Sequence, residues 1–278
     1  MKNLEILYED NHIIAINKKV SDIVQADQTG DEPLSERVKA YIKEKYNKPG
    51  DVYLGIPHRV DRPVSGVVLF AKTSKALVRL NKMFQEHDQE ITKIYWAIVG
   101  NLPEEDHAKL THYMVRDAEK NKSYAYNKPK SGAKEAILEY KLLGCGQRYY
   151  LLEVKLCTGR HHQIRVQMSG HGLPLWGDNR YNPAFQKGDA AMPGSAAECA
   201  AETGGQEQME KKKRESGRIP LRERRRGGTG RSGRAHRVDV ALAAYELAFT
   251  HPETGESMIF QHNPSGGIFR QFQMPGQQ

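Results

Sequence analysis

From residue 58 to residue 72 the chain reads His58-Arg59-Val60-Asp61-Arg62-Pro63-Val64-Ser65-Gly66-Val67-Val68-Leu69-Phe70-Ala71-Lys72, a charged turn leading straight into an apolar run. The run 66–72 reads as a buried strand by its β-branched content. The turn sets one aspartate between two arginines. Cations beside a carboxylate hold it ionised, because an opposite charge within a few ångströms lowers an Asp pKa by ~1–3 units. An ionised carboxylate at a turn into a buried strand suits a nucleophile or base, and arginines suit a phosphate-rich substrate. The plainer alternative is a solvated cluster of ion pairs.

The rest of the chain supplies more strands than helices. Residues 4–8 and 12–17 read as short strands around Glu9-Asp10-Asn11, and 91–99 as another, ended by Asn101-Leu102-Pro103. Residues 136–143 and 149–156 form a hairpin across Gly144-Cys145-Gly146. Residues 240–250 and 257–262 make a last strand pair. Helical spacing of Leu34, Val38, Tyr41 and Ile42 predicts an amphipathic helix over 35–46, and Ser74 is expected to cap a second one. Residues 159–169 read as a helix start, stopped by Gly170 and Gly172. A helix there would put His161 and Arg165 on one face and turn His161 and His162 apart. Regular βα alternation is absent, so the expected class is α+β with a mixed, mostly antiparallel sheet.

Residues 187–234 break this pattern, with Ala/Gly/Glu-rich text followed by Lys211-Lys212-Lys213-Arg214 and Arg224-Arg225-Arg226. Without apolar periodicity, the segment is expected to be a disordered basic insertion into one domain made of 1–186 and 235–278. Its Gly228-Thr229-Gly230-Arg231-Ser232-Gly233 fits a dinucleotide fingerprint but lacks the strand and helix that such a site needs. The insertion also carries most of the charge. The chain has a net charge of +8, and 187–237 holds 13 Lys/Arg against 7 Asp/Glu, which leaves +2 for the remainder. A nucleic-acid site on the body must therefore come from local placement. No ~20-residue apolar span or signal-peptide pattern is present. Three cysteines, Cys145, Cys157 and Cys199, an odd count with no pairing pattern or metal-like spacing, fit a reducing, cytoplasmic setting.

Three constellations carry chemistry. They are Asp61 with Arg59 and Arg62, then Lys93-Ile94-Tyr95 with Lys and Tyr on one strand face, then Thr158-Gly159-Arg160-His161-His162-Gln163-Ile164-Arg165 running on to Gly172-Leu173-Pro174-Leu175-Trp176-Gly177-Asp178. Singly each has a bland reading: a strand tyrosine, a surface arginine, a pair of histidines with no third ligand and hence no metal site. Together, and in this order, they resemble the RluA-type RNA pseudouridine synthases. Tyr8-Glu9-Asp10-Asn11-His12-Ile13-Ile14-Ala15-Ile16-Asn17-Lys18 and Phe249-Thr250-His251-Pro252 extend the likeness.

The resemblance implies a pseudouridine-synthase fold and the isomerisation of uridine in structured RNA, tRNA or rRNA. Asp61 falls on the family's catalytic aspartate, Tyr95 on the tyrosine that packs against the target base, and Arg165 on the arginine that pairs with the aspartate. Arg59 falls on a position that helps fill the gap left by a flipped nucleotide. His58, Lys93, Arg160, His161 and Gln163 are expected to contact the RNA. The resemblance implies no metal or organic cofactor; no membrane and a monomer are expected, and, since the text opens on the catalytic-domain strands, so is the lack of the N-terminal S4-type domain that many members carry. Lys18-Lys19-Val20-Ser21 replaces a common Lys-Pro-x-Gly turn, and Ala243 stands where many members carry histidine.

Overall fold

The computed structural model describes residues 4–86, 90–146, 148–186, 239–264 and 266–272. The expected insertion at 187–234, with its glycine fingerprint and Cys199, lies outside them. The described elements are β1 (Glu5–Glu9), β2 (Ile13–Lys18), α1 (Leu34–Lys45), β3 (Ser65–Ala71), α2 (Ser74–Glu86), β4 (Ile91–Val99), β5 (His107–Asp117), β6 (Lys122–Tyr126), β7 (Lys134–Cys145), β8 (Tyr150–Leu156), α3 (Gln163–Gly170), α4 (Pro183–Gln186), β9 (Leu242–Thr250) and β10 (Ser257–Gln261). The strands form one sheet in the order β1-β2-β3-β9-β4-β8-β7-β5-β6, with β10 pairing β9. Every pairing is antiparallel except β3 with β9. The α+β class read from the sequence is the one observed.

Strands β2 and β3 read as unbroken apolar runs because both faces of the sheet are covered. Ile14, Ile16, Val68 and Phe70 pack on one face with Leu34, Val38 and Ile42 of α1. Ile13, Ala15, Val67 and Leu69 pack on the other with Ala76 and Leu80 of α2. The β5–β6 hairpin has no counterpart in the sequence reading. Few of its side chains are buried, so its text shows neither alternation nor an apolar run.

Three local details differ from expectation. The side chain that caps α2 is Thr73, whose Oγ1 accepts the Ala76 N–H at 3.2 Å; Ser74 is already helical. Helix α3 starts at Gln163 and not at Gly159, because His162 takes a left-handed backbone with φ 55°. His161 therefore lies outside the helix, and its ring stacks on His162 with centroids 3.7 Å apart instead of pointing away.

The single parallel contact fixes where the Asp61 turn sits. Gly66 (φ 116°) abuts β9, and a Cβ there would come 2.1 Å from the Ala244 carbonyl oxygen, so the two strands meet only because this residue is glycine. Ser65 pairs with Ala243 at the same place.

Candidate active site

Asp61 sits on the turn into β3, closed by a bond from the Val64 N–H to the Asp61 carbonyl at 3.0 Å. The turn is pinned from beneath by Lys18, the last residue of β2. Its buried ammonium donates to the carbonyls of Lys19 and Arg62 at 3.2 Å and of Val64 at 2.5 Å. Burial holds the Lys18 pKa down to about 8. The Ser21 N–H adds a bond to the Arg62 carbonyl at 3.0 Å. Lys18 thus satisfies carbonyls that the Asp61 turn leaves unpaired.

The flanking arginines do not hold Asp61. Arg62 turns away to pair with Asp31 and donates to Thr29 Oγ1 at 3.1 Å. Arg59 is exposed. The groups that reach Asp61 come from after β8 instead: Arg165 Nη1 lies 3.5 Å, and His162 Nε2 3.6 Å, from Asp61 Oδ2. Arg165 is buried and held first by another carboxylate. Its Nε and Nη2 donate to the two oxygens of Asp178, each at 2.8 Å. Asp178 has no solvent exposure and accepts the Arg180 N–H as well. The expected Arg165–Asp61 pairing is therefore the looser of two, and Asp178 sets the guanidinium's orientation.

The charge balance at Asp61 also differs from the sequence reading. Burial pushes its pKa up; Arg165 opposes the rise and does not reverse it. The side chain keeps 31% of its surface open to the cleft, while protein crowds it elsewhere. Tyr95, on β4, lines the same cleft, and burial, then the charge of Asp61, push its phenol up as well.

The cleft has a volume of about 1090 Å³. Seven Lys and Arg side chains line it against four aspartates, so the local basic excess that bulk charge did not supply is present here. The expected contact residues divide. Arg59, Lys93, Arg160 and His161 line it together with Asp61 and Tyr95. Lys93 is buried except for 8% of its surface, lies across from Gly159, and is pushed down by burial. Arg160 Nε donates to the Glu135 carbonyl at 2.9 Å, and His161 Nδ1 is 2.8 Å from Ser123 Oγ. Burial, then Arg116, hold His161 down at about 4.

His58 lines the cleft too, yet both it and Gln163 have structural duties. His58 Nε2 accepts the Leu69 N–H at 3.0 Å, its ring stacks on Phe84 at 4.6 Å, and burial holds it neutral at about 3. The Gln163 amide accepts from Thr158 Oγ1 at 2.8 Å and the Arg160 N–H at 2.9 Å, and donates to the Ile137 carbonyl at 3.0 Å. Both amide heavy atoms are bonded inside the protein, so Gln163 shapes the loop. Sequence reasoning gave no role to Lys18, His162, Tyr181 or Asp178, although Asp178 closes the third motif.

The chain that carries this cleft is similar to known proteins. A profile of the RNA pseudouridylate synthase family matches residues 12–170, more than half of the chain, and includes Asp61, Tyr95 and Arg165. An uncharacterized RNA pseudouridine synthase of Aquifex aeolicus is 27% identical over 263 residues, spanning 93% of this chain and 68% of the relative. Ribosomal large subunit pseudouridine synthase D of Borreliella burgdorferi is 32% identical over 183 residues, 64% of this chain and 54% of the relative. The chain thus spans between about half and two thirds of the length of these relatives. In solved structures, human RNA pseudouridylate synthase domain containing 4 shares the fold, with a TM-score of 0.63 at 19% identity, over 93% of this chain and 87% of that one.

Proposed function

The chain belongs to the RNA pseudouridylate synthase family, and from that premise we propose that it isomerises uridine to pseudouridine in structured RNA, a tRNA or a ribosomal RNA. The observation that carries the proposal is the convergence on one basic cleft of Asp61 from the β3 turn, Tyr95 from β4 and Arg165 from α3. The reaction breaks the bond from C1′ of the ribose to N1 of uracil and forms one from C1′ to C5. C5 loses its proton and N1 gains one, so the product is an isomer and no redox partner is needed.

The target base must leave the stack, at a cost of a few kcal/mol. Arg59, exposed at the rim, offsets part of that cost by occupying the gap. Tyr95 gives the freed uracil a face on which to turn, worth ~1–3 kcal/mol of stacking. Burial and the Asp61 charge keep the proton on its phenol, so it acts in the ground state as a stacking surface and not as a base. Asp61 attacks the sugar or the base, or removes a sugar proton. Each route needs the ionised carboxylate, and Arg165, aimed by Asp178, favours that form against burial. Lys93, Arg160 and the basic rim meet the phosphates.

Among the described residues, no helix is long and apolar enough to cross a membrane. We place the protein in the cytoplasm, acting as a monomer, as the sequence reading expects. A hydrolase built on Asp61 needs a second free carboxylate as acid or base. Asp178 is committed to Arg165, and of the aspartates lining the cleft besides Asp61, Asp31 pairs with Arg62 and Asp27 accepts from Thr29, which leaves Asp239, whose substitution by Asn should spare tritium release. Release of tritium from RNA carrying 5-tritiated uridine tests the proposal. Release from a cellular RNA pool by the wild type and none by Asp61→Asn is expected. No release from any pool would sink it.

A further inference from the structure

One group at Asp61 has no part in the reaction above. His162 is a non-glycine residue with a left-handed backbone, φ 55°, a conformation that histidine tolerates better than most side chains but at a cost of ~1 kcal/mol or more. The strained backbone carries its ring between Tyr181 and Asp61. The Tyr181 hydroxyl is 2.8 Å from His162 Nδ1, and the same oxygen accepts the Ser123 N–H at 2.9 Å. A phenol has one proton to give. Ser123 supplies its own hydrogen, and among the described residues His162 Nδ1 is the acceptor for the hydroxyl proton. Nδ1 therefore accepts, and the neutral imidazole carries its hydrogen on Nε2. That nitrogen faces Asp61 Oδ2 at 3.6 Å, beside Arg165 Nη1 at 3.5 Å from the same oxygen. Both distances exceed a hydrogen bond, as is common before substrate closes a site. Burial, then Arg165, hold the ring neutral, at about 2.

Resting on the reading of Asp61 as the reacting group, we infer that His162 is a positioning residue. Its Nε2–H, fixed there by the Tyr181 hydroxyl, grips Oδ2 of Asp61 with Arg165 and leaves Oδ1 to face the nucleotide. The two donors differ in kind. Arg165 supplies charge, which acts at any angle. His162 supplies a neutral hydrogen bond, which acts only along one direction. The groups facing Asp61 are Arg165 on α3, Lys18 at the end of β2, Tyr95 on β4 and Asp178 beyond α3. Those facing His162 are Arg165, His161, Arg180, Arg116 and Tyr181.

The test uses the full chain and needs no knowledge of the natural RNA for its first two arms. ¹⁵N NMR of the histidine rings, with His162 assigned by its loss in His162→Gln, should show the Nε2–H tautomer in the wild type and a mixture in Tyr181→Phe. ¹³C NMR titration of the Asp61 carboxyl, assigned with Asp61→Asn, should move to higher pH in His162→Leu, which removes a donor to the charged form. His162→Gln, whose amide N–H reaches as far as the imidazole Nε2–H, should return most of the shift, and Tyr181→Phe should show a smaller one.

On bulk cellular RNA carrying 5-tritiated uridine, His162→Leu should lose about 10- to 100-fold in turnover with KM little changed and the acid limb moved up. His162→Gln should recover most of that loss. An Nδ1–H tautomer in the wild type, or an Asp61 titration unmoved by His162→Leu, would overturn the inference and leave the proposed reaction standing. A wild type that releases no tritium would sink the reaction, while the two NMR arms still judge the role of His162. If His162→Leu does not fold, an Asp61 titration that is the same in Tyr181→Phe as in the wild type overturns it instead.

Discussion

Glu9 and Asp61 are both crowded by protein, and the protein treats them in opposite ways. Glu9, at the end of β1, accepts from Lys45 at 2.6 Å, Lys72 at 2.7 Å, and the hydroxyls of Tyr41 and Tyr46 at 2.9 Å. Burial alone would raise its pKa; the four donors outweigh that and bring it to about 2. Asp61 has only Arg165 and His162 beside it, at 3.5 and 3.6 Å, and burial wins. A carboxylate with its lone pairs filled stabilises the fold and has nothing left for chemistry. A carboxylate left underfilled costs stability and keeps lone pairs for a substrate.

The contrast is broken most directly at Asp61. Asp61→Asn removes the reacting oxygen and also a poorly compensated charge. Turnover in the tritium assay should fall by about 10⁴-fold or more, on the order of 5 kcal/mol of barrier. The urea midpoint of unfolding should hold or rise. A fall in stability with activity retained would make Asp61 another Glu9.

Arg165 and Asp178 sharpen the comparison, because here a saturated carboxylate serves an unsaturated one. Arg165→Lys keeps a positive charge but loses the fork that Asp178 fixes and that leaves Nη1 for Asp61. Single-turnover rates should fall about 100-fold, with RNA binding in a filter assay little affected. If lysine serves as well as arginine, the aim given by Asp178 does not matter and only charge does.

How much of this was legible in the chain follows from what kind of interaction each residue makes. Asp61, Tyr95 and Arg165 lie in dense ordered motifs, and β2 and β3 carry apolar runs that any reading would catch. The partnership of Asp61 with Arg165 came from the resemblance and not from the local text, where sequence neighbours look like spatial neighbours. Arg59 and Arg62 stand beside Asp61 in the chain, yet a turn points successive side chains apart, and the cation that reaches Asp61 arrives from residue 165. Lys18 was invisible for a related reason: its partners are backbone carbonyls, which every sequence has and none displays. The His162 backbone was missed because a left-handed residue without glycine leaves no mark in the text. The β5–β6 hairpin was missed because its burial is sparse, with little more than Leu110 and Met114 inside β5.

Glu9 supplies the counter-test, in stability instead of rate. Glu9→Gln should cost about 3 kcal/mol in urea unfolding at neutral pH, since it leaves the buried ammonium of Lys72 without its carboxylate, while Lys45 keeps access to water. Turnover should be unchanged. The pH dependence has a definite sign. The folded pKa of about 2 lies below the ordinary 4.5, so the stabilisation is complete above about 4.5 and is lost as pH falls towards 2. The gap between wild type and Glu9→Gln should therefore close across that window. A gap that stays open to pH 2 would mean that the donors act through packing and not through charge.

The smallest effect is the pH limb of the reaction itself, and it separates the two carboxylates without a mutation. Burial outweighs Arg165 at Asp61, so its folded pKa lies above the ordinary 3.8, the reverse of Glu9. Since the ionised form reacts, tritium release should climb with pH along an acid limb centred above 3.8 and then level off, and the limb should be the same in Glu9→Gln. The stability curve of the wild type should meanwhile lose its Glu9 contribution as pH falls from about 4.5 towards 2. The direction of each shift then tells the two carboxylates apart, up from 3.8 for Asp61 and down from 4.5 for Glu9. A limb at or below 3.8 would mean that Arg165 and His162 together outweigh burial, and that Asp61 is held charged as firmly as Glu9 although it has half as many donors.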